Sequence, residues 1–253
     1  MQSSALGLPE LIAHRGNAAE FPENTLEALA SAVELGVRYV EFDVQLTADH
    51  VPVVFHDANL VRVAGRSECV HELDWRQLAG IPIGEPARFG SRFAHLRPTA
   101  LAGLAEALPG WRDVTAFVEI KRSSLRRFGH EVVLDRVTAA LRDVLDQCVW
   151  ISFDLACVEA LRRKTGARIG WVLERYDDVS LRDAQAAGPD FLFADVERMP
   201  PEMTGLWPGP WDWAIYEVQD LETARRCRRL GAQFVETMTV RKMVDAFAAV
   251  RPD

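Results

Sequence analysis

Residues 11–57, LIAHRGNAAEFPENTLEALASAVELGVRYVEFDVQLTADHVPVVFHD, decide the fold, because they set five polar groups where buried strands are apolar. The five are His14, Arg15, Glu41, Asp43 and His56. Periodicity predicts a strand over 11–15, a helix over 25–35 and a strand over 39–46, a βαβ unit. A further extended run, 51–56, follows after only four residues, too few for a parallel crossover, so it folds back as a hairpin. With the turn centred on Asp49-His50, cross-strand partners sum to 99 and His56 is expected directly opposite Asp43.

A strand inside a βαβ sheet is covered on both faces or looks into a barrel, so Glu41 and Asp43 have no solvated face to occupy. Buried like charges repel and lose hydration unless a cation or proton is shared between them. A divalent cation answers both costs, and oxygen ligands point to a hard ion, Mg²⁺ or Ca²⁺. On this reading Asp43→Asn is expected to leave the fold intact or more stable.

Working outward, Asn24 is the expected cap of the first helix, with Glu27 at its third position and Gly36 at its end. Glu23 and Asn24, in the capping loop above His14, are read mainly as structural. Residues 57–98 are punctuated by Gly and Pro, with one helical piece near 74–78, and read as an insertion or lid with too few aliphatic residues to bury a core. Its arginines, 62, 66, 88, 92 and 97, are read mostly as solvated.

From residue 99 the chain alternates. Extended runs are expected at 116–121, 149–153, 168–173, 190–196, 213–218 and 234–238, with helices near 101–108, 125–145, 155–164, 181–187 and 221–230. The link over 196–213 is too rich in proline for a full helix. With the strands at 11 and 39 this makes eight, the pattern of a (β/α)₈ TIM barrel over 1–253 as one domain, carrying a small insertion after its second strand. In the third barrel strand, Glu119 and Lys121 share one face. Glu119 is thereby a third metal carboxylate beside Glu41 and Asp43, and Lys121 a partner for an anion. Glu174, Asp195, Tyr216 and Glu236 are weaker rim candidates.

Composition narrows the partners. The chain has 253 residues and a net charge of −8, with a pI near 5.3, which argues against nucleic acid or an anionic membrane as the main partner. Four cysteines without paired spacing fit reduced thiols in the cytoplasm. No secretory leader and no apolar run of membrane-spanning length is read. Without a Gly-rich phosphate loop, ATP chemistry is not indicated. Three carboxylates, two histidines, an arginine and a lysine at a barrel mouth suit attack on phosphorus, the histidines serving as acid and base.

His14-Arg15-Gly16, Pro22-Glu23-Asn24-Thr25, Glu41-x-Asp43, His56-Asp57, Glu119-x-Lys121 and Ser152-Phe153 occur in an order and spacing that resembles the glycerophosphodiester phosphodiesterases. The resemblance implies metal-dependent hydrolysis of glycerophosphodiesters to glycerol 3-phosphate and an alcohol. It also implies metal ligation by Glu41, Asp43 and Glu119, acid/base roles for His14 and His56, and substrate contacts from Arg15, Lys121 and Tyr216. His50, Tyr216 and Met238 depart from the family's usual residues, as does the absence of an acidic pair after Pro98-Thr99. Two other readings stay open. A lysophospholipase D-like enzyme would need an apolar patch at the mouth, hinted at by Leu96, Leu206, Trp207 and Trp211. A non-catalytic barrel that binds a phosphorylated ligand would have no use for two opposed histidines.

Overall fold

Ten strands make one sheet in a computed structural model that describes residues 7–200 and 202–250. Residues 1–6, on which the reading of a missing leader partly rests, and Pro201 of the proline-rich link lie outside the described residues. The strands are β1 (Glu10–Ala13), β2 (Tyr39–Leu46), β3 (Pro52–Val54), β4 (Thr99–Ala100), β5 (Thr115–Ile120), β6 (Cys148–Ser152), β7 (Arg168–Val172), β8 (Phe191–Asp195), β9 (Asp212–Tyr216) and β10 (Phe234–Thr237). β1 pairs in parallel with both β10 and β2, which closes eight parallel strands, β1, β2 and β5 to β10, into a (β/α)₈ barrel. β3 and β4 lie outside it as antiparallel extensions of β2.

Alternation along each strand sorts the side chains into two cores. Outward residues such as Phe42, Val44, Trp150 and Ile169 pack beneath the helices. Inward residues, among them Ile12, Phe117, Phe191, Phe193 and Phe234, fill the barrel. Phe117 meets Phe191 edge-on at 5.1 Å and Phe193 at 5.3 Å. Gly170 makes this possible, because a Cβ there would stand 2.9 Å from Ile151 and 3.1 Å from both Phe191 and Phe193. The apolar plug occupies the lower barrel and leaves the C-terminal mouth to polar groups.

Three of the barrel helices start where an aspartate accepts a first free N–H group: Asp154 from Cys157, Asp177 from Ser180 and Asp220 from Thr223. Such caps contribute about 1 kcal/mol each. At the first helix the cap is Thr25, accepting from Ala28, and not Asn24. The helix expected over 125–145 is two, Arg122–Phe128 and His130–Leu141, because Gly129 takes a φ of 82° between them. A last helix, Val240–Ala248, went unforeseen; it buries Val240, Met243 and Phe247.

The hairpin differs by one residue from expectation. Val44 faces Val54 and Gln45 faces Val53, so partners sum to 98 and Phe55, whose N–H donates to the Asp43 carbonyl at 2.9 Å, stands across from Asp43. The loop has three residues because His50 adopts a left-handed φ of 61°, as the last residue of a three-residue hairpin does. The outer face of β3 then supplies what the insertion lacked. Val53 and Phe55 join Leu60, Val63, Val70, Leu78, Ile81 and Ile83 in a separate apolar cluster. The insertion therefore does bury a small core, against the expectation, by sharing it with the hairpin.

Candidate active site

Register builds the acidic centre. Asp43 of β2 lies beside Glu119 of β5, and Glu41 is on the same inward face one step below. One carboxylate oxygen from each of Glu41, Asp43 and Glu119 lies within 4.8 Å of the others. A second cluster meeting the same limit is His14, Glu41 and Glu236, so Glu41 belongs to both. All five residues are buried.

The turn after β1 aims His14 and Arg15. Arg15 takes a left-handed φ of 56°, which points its N–H at Glu41 Oε2, 3.0 Å away. In its guanidinium, Nε lies 3.1 Å from Asp43 Oδ2, and Nη1 donates to Glu23 Oε1 at 3.1 Å. Gly16 follows at φ 79°, so close to the first helix that a Cβ would fall 2.5 Å from the Ala28 carbonyl carbon. Asn24, also left-handed at φ 57°, holds Asp43 from a second side. Lys121, just past β5, donates to Glu119 Oε1 at 2.7 Å and lies 3.1 Å from Asp43 Oδ1.

His56 reaches the mouth from the bend beyond β3, not as a ladder partner of Asp43. Its Nδ1 is 2.6 Å from Asp57 Oδ1, and its carbonyl accepts from Gln45 Nε2 at 2.9 Å. Asp57 Oδ2 accepts from Arg62 Nε at 2.9 Å, and the other guanidinium nitrogens of Arg62 donate to Glu23 at 2.5 and 2.7 Å. His14 and His56 line one cavity of about 220 Å³ together with Glu41, Glu119, Lys121 and Tyr216.

Electrostatics divides the acids. Burial would raise Asp43, but Lys121 and Arg15 beside it hold it below the ordinary carboxylate range. Glu41 is pushed well above that range by burial and by Asp43, and Glu236 by burial and by Glu119. Glu119 is raised by burial, with Lys121 opposing. Burial, reinforced by Arg15, keeps His14 neutral well below the usual imidazole range. Among the described residues, Glu41 Oε1, Asp43 Oδ1, Glu236 Oε1 and His14 Nδ1 are buried without a hydrogen-bond partner. Unpartnered oxygens on crowded carboxylates are what a divalent cation would satisfy, so the donor set fits the hard ion expected from the sequence.

Other expectations fare unevenly. Phe153 lines the cavity, while Ser152 is buried and bonds the Ile120 carbonyl. Asp195 lines the cavity and pairs with Arg198, whereas Glu174 pairs with Arg122 at the rim. The insertion arginines are all exposed, as expected, while each also has a partner: Arg62 as above, Arg66 on Glu68, Arg88 on Glu85 and the Ala18 carbonyl, Arg92 over Phe93, and Arg97 on two carbonyls. Leu96 and Trp211 are buried, and Trp207 stacks on Tyr176. Leu206 and Trp207 are half-buried, and none of the four residues lines the cavity. Glu217 was missed; at φ 61° it places a carboxylate oxygen 3.8 Å from His14 Nδ1. Its position one residue past a barrel strand was the available signal.

Fold and site together define a (β/α)₈ barrel whose mouth carries a compact carboxylate cluster flanked by two histidines. The model of the glycerophosphoryl diester phosphodiesterase family matches residues 14–199, and the chain belongs to that family. It is 36% identical over 111 residues to a glycerophosphodiester phosphodiesterase of Caldanaerobacter subterraneus subsp. tengcongensis, a match covering 44% of each chain. It is 32% identical over 134 residues to glycerophosphodiester phosphodiesterase 1 of Rattus norvegicus, covering 53% of this chain and 37% of the relative. These matches thus span less than half the length of either relative. Among solved structures, a phosphodiesterase of Oleispira antarctica in complex with the product sn-glycerol-3-phosphate superposes with a TM-score of 0.81 at 19% identity, covering 95% of this chain and 97% of that one. A glycerophosphodiester phosphodiesterase of Thermotoga maritima does so with a TM-score of 0.69 at 22% identity, covering 93% and 96%. At those identities the likeness establishes the fold.

Proposed function

We propose that this chain hydrolyses glycerophosphodiesters to glycerol 3-phosphate and an alcohol, with Glu41, Asp43 and Glu119 holding Mg²⁺ or Ca²⁺ and with His14 and His56 moving the protons. The observation that carries the reading is the cluster of three carboxylates within 4.8 Å, with Glu41 Oε1 unpartnered, in a cavity that both histidines line. When bound, the cation supplies neutralisation of the phosphate oxygens.

The chain's own groups do the rest. Lys121, at the cavity wall, adds positive charge where the phosphorane oxygens gain negative charge. Arg15, which also lines the cavity, contacts the phosphate beside Lys121 and keeps Asp43 ionised. Neutral His14, with Nδ1 unpartnered, takes the proton of the attacking oxygen. His56, held through Nδ1 by Asp57, hands a proton to the departing alkoxide from its other nitrogen. Tyr216 and Phe153 line the part of the cavity left for the organic ends of the substrate.

A small substrate suits a cavity of about 220 Å³, below the usual range for drug-sized ligands. The Oleispira structure holds sn-glycerol-3-phosphate, a small product of this reaction class. The lysophospholipase D reading has a short match in its favour, 46% identity over 68 residues to a mouse lysophospholipase D. Against it, the exposed large hydrophobic side chains among the described residues are Val61, Val179 and Val250, none of them lining the cavity. The same proposal takes 1–253 as one barrel domain with 57–98 as its lid. It places the protein in the cytoplasm, which its four free cysteines favour. No helix among the described residues is long and apolar enough to cross a membrane. Assays of glycerophosphocholine, glycerophosphoethanolamine and a lysophospholipid, each with and without EDTA, test it. Turnover of the first two that EDTA abolishes supports it; turnover of the lysophospholipid alone, or full turnover in EDTA, overturns it. No turnover of any substrate, with phosphate ligands still binding, would favour the non-catalytic barrel.

A further inference from the structure

The charges at the mouth are unevenly shared. Arg15 and Lys121 both lie against Asp43 at 3.1 Å, and Lys121 also against Glu119 at 2.7 Å. On the opposite side, Glu236 forms no ion pair among the described residues, although it is 96% buried (4% exposed), and its Oε1 lacks any partner. Among the described residues, Glu41 has only His14 at 3.9 Å and the Arg15 N–H. A cation between Glu41, Asp43 and Glu119 would complete the first group and leave the second as it stands.

We propose a second cation site beside the first, formed by His14, Glu41 and Glu236, with Glu41 shared between the two ions. Its donor atoms already lie within 4.8 Å of one another, and in a closed tetrahedral shell they would stand about 3.5 Å apart, so small side-chain rotations suffice. Glu236, a member of this set, is buried with its Oε1 unpartnered, and His14 faces Glu41 through Nε2 at 3.9 Å. Glu217, 3.8 Å from His14 Nδ1, adds negative charge at its open side. An imidazole among the donors selects a first-row transition ion such as Mn²⁺ or Zn²⁺ over Mg²⁺ or Ca²⁺. Sharing one carboxylate sets the ions at about the 3.5–4 Å of two-metal centres.

The inference rests on the proposed function, for a His14 that ligates an ion cannot accept a proton. Filling the second site therefore arrests the turnover that the first ion supports.

Titrating the full chain, stripped of metal, with Mn²⁺ and following it by calorimetry and electron paramagnetic resonance tests this. Two ions per chain are expected, with a spectrum of exchange-coupled Mn²⁺ pairs appearing in the second equivalent, and turnover falling as that equivalent binds. Glu236→Gln should bind one ion with an uncoupled six-line spectrum; His14→Gln repeats the test should the first variant fail to fold. One ion in the unaltered chain, two without coupling, or turnover that keeps rising through the second equivalent overturns the second site and leaves the first untouched. Binding of no Mn²⁺ overturns both.

Discussion

Asn24 grips Asp43 at two points: its side-chain amide donates to Asp43 Oδ2 at 2.9 Å, and its Oδ1 accepts the Asp43 backbone N–H at 3.1 Å. The left-handed turn at Asn24 makes this reach possible. Groups that orient a ligand from behind typically account for about 10–100-fold in metal affinity. Asn24→Ala is therefore expected to weaken Mg²⁺ binding by that factor in a calorimetric titration; unchanged affinity would mean that Asp43 is oriented by Arg15 and Lys121 alone.

The two acids of β2 should respond oppositely to neutralisation. Asp43→Asn removes the charge that Arg15 and Lys121 share, so the metal-free protein is expected to lose about 1–3 kcal/mol, moderated because each cation keeps a second carboxylate. The pairing of Asp43 with Arg15 and Lys121 is what reverses the expectation from sequence that Asp43→Asn leaves the fold intact or more stable. Glu41→Gln relieves crowding and should stabilise the metal-free protein at neutral pH. Urea denaturation in EDTA compares the two; shifts of the same sign would contradict the division.

Gly16→Ala should destabilise the fold by about 2–4 kcal/mol, from a left-handed φ and a Cβ clash with helix backbone that cannot give way. A variant as stable as the parent in the same denaturation would show that the β1 turn can move without cost.

His14→Ala and His56→Ala should each lower turnover about 10²–10⁴-fold on an alkyl diester. On a p-nitrophenyl diester, whose leaving group needs no proton, His56→Ala should recover much of its loss and His14→Ala none. Equal losses on both substrates would remove the assignment of separate roles.

His71 links the insertion to the barrel, its Nε2 lying 3.0 Å from Gln45 Oε1 and 3.2 Å from Ser124 Oγ. Burial, with Arg127 assisting, lowers its folded pKa below the usual 6.5. The unfolded chain thus binds the proton more readily, so this contribution to stability is complete above pH 6.5 and declines as pH falls towards the folded value. Between neutrality and about pH 5, the melting temperature of the parent should drop more than that of His71→Gln. Parallel curves would show that His71 takes up its proton without cost.

The barrel and the clustering of its three carboxylates were legible because both follow from burial: a covered strand gives Glu41, Asp43 and Glu119 no solvated face, so they have to meet partners at the mouth. What failed depended on backbone conformations that composition does not report. The hairpin register turned on His50 entering the left-handed region, and Asn24 passed for a cap because a capping asparagine and one that binds a neighbouring strand look alike in sequence. Glu217 was overlooked beside Tyr216 because charged residues follow strands everywhere in loops. The acidic surplus around Glu236 became visible only when the closure of β1 on β10 brought it to His14.

Glu23 receives Arg15 from the first barrel turn and Arg62 from the insertion on one buried carboxylate. The insertion is for that reason not a detachable module. A chimera that exchanges residues 57–98 with those of another family member inherits a mismatched lock unless positions 23, 57 and 62 travel together. Asp57 and Arg62 carry that lock on to His56, so a substitution that moves Arg62 also moves the ring that faces the mouth.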